Sequence, residues 1–207
     1  RDFLQYRLRE DEPTQYTELH RHAGAWFEQQ HDVEEAVYHY LAAEAYPEAT
    51  ALMEQVAMEW FHRGRLETLS HWAESLPGRI KRQAPRLLLY HGKALTDRYD
   101  YDRARDALAC AEAGFVERKD LTRLARVHNQ KATLALFEGR YEDVIEEANV
   151  ALEMLDQQEN AERAQAQRMI GRADVGLGQF AEGIVELQKA LMLYRQIDSP
   201  YDVVNLL

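Results

Sequence analysis

Gly92-Lys93-Ala94-Leu95-Thr96-Asp97-Arg98-Tyr99-Asp100-Tyr101-Asp102-Arg103-Ala104-Arg105-Asp106-Ala107-Leu108-Ala109-Cys110-Ala111 reads as one helical hairpin. Tyr99-Asp100 breaks the helical pattern, and the apolar Tyr101 opens a second helix. Ala104, Leu108 and Ala111 follow Tyr101 at offsets of three, seven and ten, which is one face of a helix. Gly92 stands nine residues before Tyr101, inside the first helix, where glycine costs about 1 kcal/mol against alanine. A close crossing by the second helix is the packing reason for that cost.

The unit recurs along the chain. Breaks at His31-Asp32, Gly64, Tyr99-Asp100, Gly139 and Gly178 precede the apolar anchors Val33, Leu66, Tyr101, Tyr141 and Phe180. Successive anchors are 33, 35, 40 and 39 residues apart. Nine residues before each anchor stands a small residue: Gly24, Ala57, Gly92, Ala132 and Gly171. The companions three, seven and ten residues on also recur: Ala36, Tyr40 and Ala43; Val144, Ala148 and Ala151; Gly183, Leu187 and Ala190. Self-similarity at this period marks a helical solenoid rather than one globular core.

A small residue in the first helix, an aromatic at the turn and alanines in the second helix resemble the tetratricopeptide repeat. The expected fold is all-α, a TPR-like right-handed superhelix of antiparallel helical hairpins: five of them, plus a fragment at each end. Periods near 40 exceed the usual value of about 34. Asp174 occupies a place where an apolar residue belongs, and Leu69 and Ala73 are exchanged in size.

A second resemblance covers residues 1–115. Its residues are Arg1-Asp2-Phe3-Leu4 with Leu8, His20-Arg21-His22-Ala23-Gly24-Ala25-Trp26-Phe27, Glu34-Glu35-Ala36-Val37-Tyr38-His39, Gly64-Arg65-Leu66-Glu67-Thr68-Leu69, Trp72, Leu76-Pro77 and Pro85-Arg86-Leu87. In that order they resemble the region after the nucleotide-binding module in MalT-like, LuxR-type ATP-dependent transcriptional regulators. The resemblance implies that residues 1–14 are the tail of a preceding winged-helix module or a linker helix. It implies a TPR-like sensor region over 15–207, with an ATPase before it and a helix-turn-helix DNA reader after it. The opening amphipathic pattern and the closing Val203-Val204 and Leu206-Leu207 likewise suggest a piece of a longer polypeptide.

Composition narrows the function. Thirty-six acidic against 25 basic residues give a formal net charge of −11, which repels nucleic-acid phosphates and anionic membranes. Neither is expected to touch this segment directly. One cysteine, Cys110, excludes an internal disulfide framework and a cysteine-rich zinc site, and a small apolar packing role is its expectation. No signal-like segment opens the chain, so a cytoplasmic location is expected. There is no Gly-x-x-x-x-Gly-Lys-Ser/Thr loop, and no cofactor is expected.

His20 and His22 point to different sides of a helix and share no metal; Glu18 and His22, one turn apart, could, but a surface ion pair or a satisfied polar contact is the expected reading. Glu34-Glu35 and Glu146-Glu147 diverge by about 100° and read as the solvated face of second helices, not as an acid and base pair. Trp26, Trp60 and Trp72 read as core. No nucleophile, base and orienting group assemble, so no catalytic or metal residue is assigned and the chain is not expected to be an enzyme.

The resemblance to tetratricopeptide repeats implies that first helices line a concave face. On that row stand Lys93, Arg126, Asn129, Thr133, Arg168 and Arg172, while the second helix beside them is acidic: Glu142, Asp143, Glu146, Glu147 and Glu153. Two readings stand. Either the bases form a groove for a small-molecule inducer or an acidic peptide or protein, or they are solubilising charges in ordinary helix pairs. The leading function is a sensor segment signalling to other modules of the same polypeptide. The alternative is a free-standing adaptor that docks a peptide or partner protein.

Overall fold

The structure, a computed structural model, describes residues 2–197, with side chains from Tyr6 onward. All regular structure among them is helical. The elements are α1 (Asp2–Asp11), α2 (Pro13–Gln29), α3 (Val33–Ala42), α4 (Tyr46–His62), α5 (Leu66–Ser75) and α6 (Gly78–Lys81), then α7 (Pro85–Asp97), α8 (Tyr101–Arg118), α9 (Leu121–Phe137), α10 (Tyr141–Met154), α11 (Asn160–Gly176) and α12 (Phe180–Gln196). Five hairpins result among the described residues: α2/α3, α4/α5, α7/α8, α9/α10 and α11/α12. Each anchor read from the sequence is the first residue of a second helix. The closing apolar residues 203–207 lie outside the described residues.

One turn closes each of the five hairpins, and it recurs between hairpins at Glu44 and Lys119. The residue before the last of each turn has positive φ: His31, Gly64, Tyr99, Gly139 and Gly178. The next N–H then reaches back five residues, from Asp32 to Phe27, Arg65 to Trp60, Asp100 to Leu95, Arg140 to Ala135 and Gln179 to Asp174. This is the Schellman closure, which satisfies a carbonyl left open at the end of the first helix. Asp32 and Asp120 then cap α3 and α9 by accepting from Glu35 N–H and Arg123 N–H.

The chain divides into two compact units, residues 1–90 and 91–207. In the first, Ala36, Val37, Ala49, Met53, Ala57 and Leu69 form the core. Trp60 and Trp72 are buried and stacked, with ring centroids 4.5 Å apart. Trp26 departs from the expectation: it is 56% exposed, with its ring edge on Phe27. α3 packs on the face holding His20 and Gly24, and Trp26 lies about 200° around α2 from Gly24. In the second unit, small residues at the predicted offsets fill the crossings: Ala104, Ala111, Val144, Ala148, Ala151 and Ala190 are fully buried. A Cβ on Gly92 would come within 2.9 Å of Leu108, which is the close crossing the sequence required.

Candidate binding surface

The row of first helices is fastened to itself. Arg126 Nε donates to Glu162 Oε1 of α11 at 2.5 Å, and Asn129 Nδ2 donates to the Glu162 carbonyl at 2.9 Å. Thr133 Oγ1 lies 3.6 Å from Met169 Sδ, and Thr122 pairs with Glu159. Thr122, Arg126, Asn129 and Thr133 are spaced four, three and four apart, so they form one stripe of α9, and that stripe is laid on α11.

The six predicted residues therefore separate. Asn129 is buried, and with the more exposed Arg126 and Thr133 it fastens α9 to α11. The physical reason is that α9 and α11 are neighbours, so this stripe of α9 is a packing edge. Lys93 is half-buried near Asp97, one turn on; burial pushes the Asp97 carboxyl up, and the Lys93 charge opposes that shift. Arg168 donates from Nη2 to Gln165 at 2.7 Å, and its buried Nε has no partner. Arg172 is exposed at its outer surface, yet partial burial and then the Arg168 charge push its guanidinium below its ordinary value.

The opposite face of α9 carries a group that residue types alone did not reveal. His128 Nδ1 lies 2.6 Å from Glu147 of α10, and its Nε2 lies 3.6 Å from Glu112 of α8. Lys131 Nζ reaches the same two carboxylates at 2.7 Å (Glu112) and 3.7 Å (Glu147). Glu147 is thus a half-buried tie between helices, correcting its reading as solvated surface; Glu146 is exposed. The spacing of His128 and Lys131, three apart, was the available signal, but their acids sit on two other helices.

His20 and His22 do face different ways. His20 is buried with its Nδ1 2.9 Å from His39 Nδ1, one donating and the other accepting, and His22 is exposed. Burial, then the His39 charge, pushes the His20 pKa down. Cys110 is half-buried. Among the described residues no three His, Cys, Asp or Glu side chains gather as a metal site, and no helix is long and apolar enough to cross a membrane.

Consecutive antiparallel helical hairpins built on one repeated closure define a tetratricopeptide-type repeat fold. Two solved structures share the fold: the MamA protein (TM-score 0.61, 17% identity, 89% of this chain and 94% of that one) and BtubC (BKLC) from P. vanneervenii (TM-score 0.63, 15% identity, 94% and 87%). In sequence the chain is similar to the HTH-type transcriptional regulator MalT of Vibrio parahaemolyticus serotype O3:K6 (strain RIMD 2210633), 23% identical over 198 residues. That similarity takes in 94% of this chain but only 22% of the relative's length. No protein-family model matches the chain.

Proposed function

We propose that this chain is the effector-binding segment of a multidomain, MalT-like transcriptional regulator, acting by binding and conformational signalling. The observation that carries the reading is the similarity to a transcriptional regulator along nearly the whole chain, on a fold made of stacked hairpins. A stack of this kind has no single core; each hairpin holds its neighbours, so a ligand bridging several hairpins biases their packing and passes a signal along the row. The effector is a small-molecule inducer or a protein, and of the four basic positions among the six, Arg168 and Arg172 are the two with no carboxylate partner among the described residues. The phosphate loop and the DNA reader belong outside this chain, in the same cytoplasmic polypeptide. The coding sequence on either side tests this. A Gly-x-x-x-x-Gly-Lys-Ser/Thr loop upstream and a helix-turn-helix downstream are expected; a short reading frame with neither sinks the reading.

A further inference from the structure

Two histidines of the first hairpin face each other through their ring nitrogens, with room for one proton between them. His20 of α2 and His39 of α3 stand with Nδ1 2.9 Å from Nδ1. His20 is 7% exposed and the His39 side chain 15%. A column of rings encloses the pair. Tyr16 lies 4.3 Å from His20 by ring centroids, His20 4.8 Å from His39, and Phe27 is stacked on His39 at 5.3 Å. Tyr38 packs edge-on against both imidazoles. α2 contributes Tyr16, His20 and Phe27, and α3 contributes Tyr38 and His39, so the column joins the two helices of one hairpin.

The hydrogen bond limits the charge that the pair can carry. A bond between two Nδ1 atoms needs one that bears a hydrogen and one that is bare. The pair keeps its bond with no net charge or with a single charge, but not with two. When both rings are protonated, two N–H groups point at each other across 2.9 Å, and two positive charges share the ring column. The surroundings of the two rings differ. Glu35 Oε2 lies 4.0 Å from His39 Nε2, so the outer nitrogen of His39 has an acid beside it. Burial first, and then the His39 charge, push the His20 pKa below 6.5. Among the described residues no charge from α1 or α4 acts on His20, and Glu48 of α4 is paired with Arg21. Between 6.5 and the folded value, the unfolded chain takes up a proton at His20 that the folded chain refuses. Stability from this group is therefore lost as pH falls through that window.

We propose that the His20–His39 pair is a pH-operated latch of the α2/α3 hairpin, closed while at least one imidazole is neutral and opened when both are protonated. The inference is independent of what the chain binds. Hydrogen exchange of the whole chain, read segment by segment and corrected for the pH dependence of intrinsic exchange, tests it. Going from about pH 7.5 to about pH 5.5 should speed exchange in α2 and α3 by at least about threefold. In α11 and α12, which hold no histidine, the change should stay under about twofold. His20→Phe keeps a ring in the column and removes the shared proton. His39→Gln keeps a side-chain amide that donates to a neutral His20 and accepts from a charged one. Both variants should lose the pH-dependent difference between the hairpin and the rest; if His20→Phe fails to fold, His39→Gln decides alone. Equal acceleration along the chain overturns the latch, in favour of general acid unfolding. An acceleration in α2 and α3 that either folded variant retains overturns it too, and so does no acceleration at all.

Discussion

Gly171 of α11 and Gly183 of α12 face each other so closely that a Cβ on either meets the other's carbonyl oxygen, at 2.9 Å from Gly171 and 2.8 Å from Gly183. Leu187 closes a second side of Gly171, at 2.8 Å. Backbone lies against backbone here, and a methyl group cannot be absorbed by a rotamer change.

Gly171→Ala gains about 1 kcal/mol of helix propensity and loses about 1–3 kcal/mol to overpacking, so a net loss of stability is expected. Gly183→Ala should behave alike, and the double variant should depart from additivity because one crossing absorbs both methyl groups. Chemical denaturation measures all three. Unchanged or raised midpoints would show that α11 and α12 can part without cost.

His31 adopts φ of 60°, where Gly64, Gly139 and Gly178 stand in other hairpins of the same chain. The left-handed region costs a side-chain-bearing residue about 1–2 kcal/mol, partly recovered because glycine is freer when unfolded. His31 is exposed, so little packing is lost on its removal. His31→Gly should therefore raise stability by up to about 1 kcal/mol, seen as a higher thermal midpoint. A lower midpoint would point to an interaction of the imidazole that outweighs the backbone strain.

The turns and crossings were legible because each depends on residues close in sequence. A breaker, an anchor such as Tyr141 and a small residue such as Ala132 nine positions earlier together fix a hairpin. The use of Arg126 and Asn129 was not legible in this way. Their partner, Glu162, stands 36 and 33 residues further on, and a polar side chain on a first helix looks the same whether it faces a groove or the next first helix. Trp26 was misread for a related reason: two positions along a helix move a side chain to another face.

That reassignment is testable. Asn129 is buried and donates to a carbonyl of the next first helix, so Asn129→Ala should cost about 1–2 kcal/mol. Arg126→Ala should cost less than about 1 kcal/mol, because its side chain is 39% exposed and water screens the pair with Glu162. Urea melts of the two variants give the comparison. A stable Asn129→Ala variant that fails to bind the effector would return Asn129 to the groove.

Asp174 stands one repeat after Ala135, at a buried position where α9 has only a methyl group. Burial above all, and then the charges of Glu186 and Glu182, push its carboxyl above the ordinary value of 3.8. It also lies in the last turn of α11, the end of a helix that disfavours negative charge. Between pH 3.8 and the raised folded value, the folded chain binds more protons at this site than the unfolded chain does. Stability from this group therefore falls as pH rises through that window, and above it the full cost of a buried, unpaired carboxylate is present. Asp174→Ala should raise stability at neutral pH by on the order of 1 kcal/mol. The advantage should shrink as the pH is lowered and be lost once the carboxyl is protonated in both states. Thermal midpoints of parent and variant across that range decide the matter: a gain independent of pH would assign the effect to helix propensity, and a loss at neutral pH would mean that Asp174 has a partner that holds it charged.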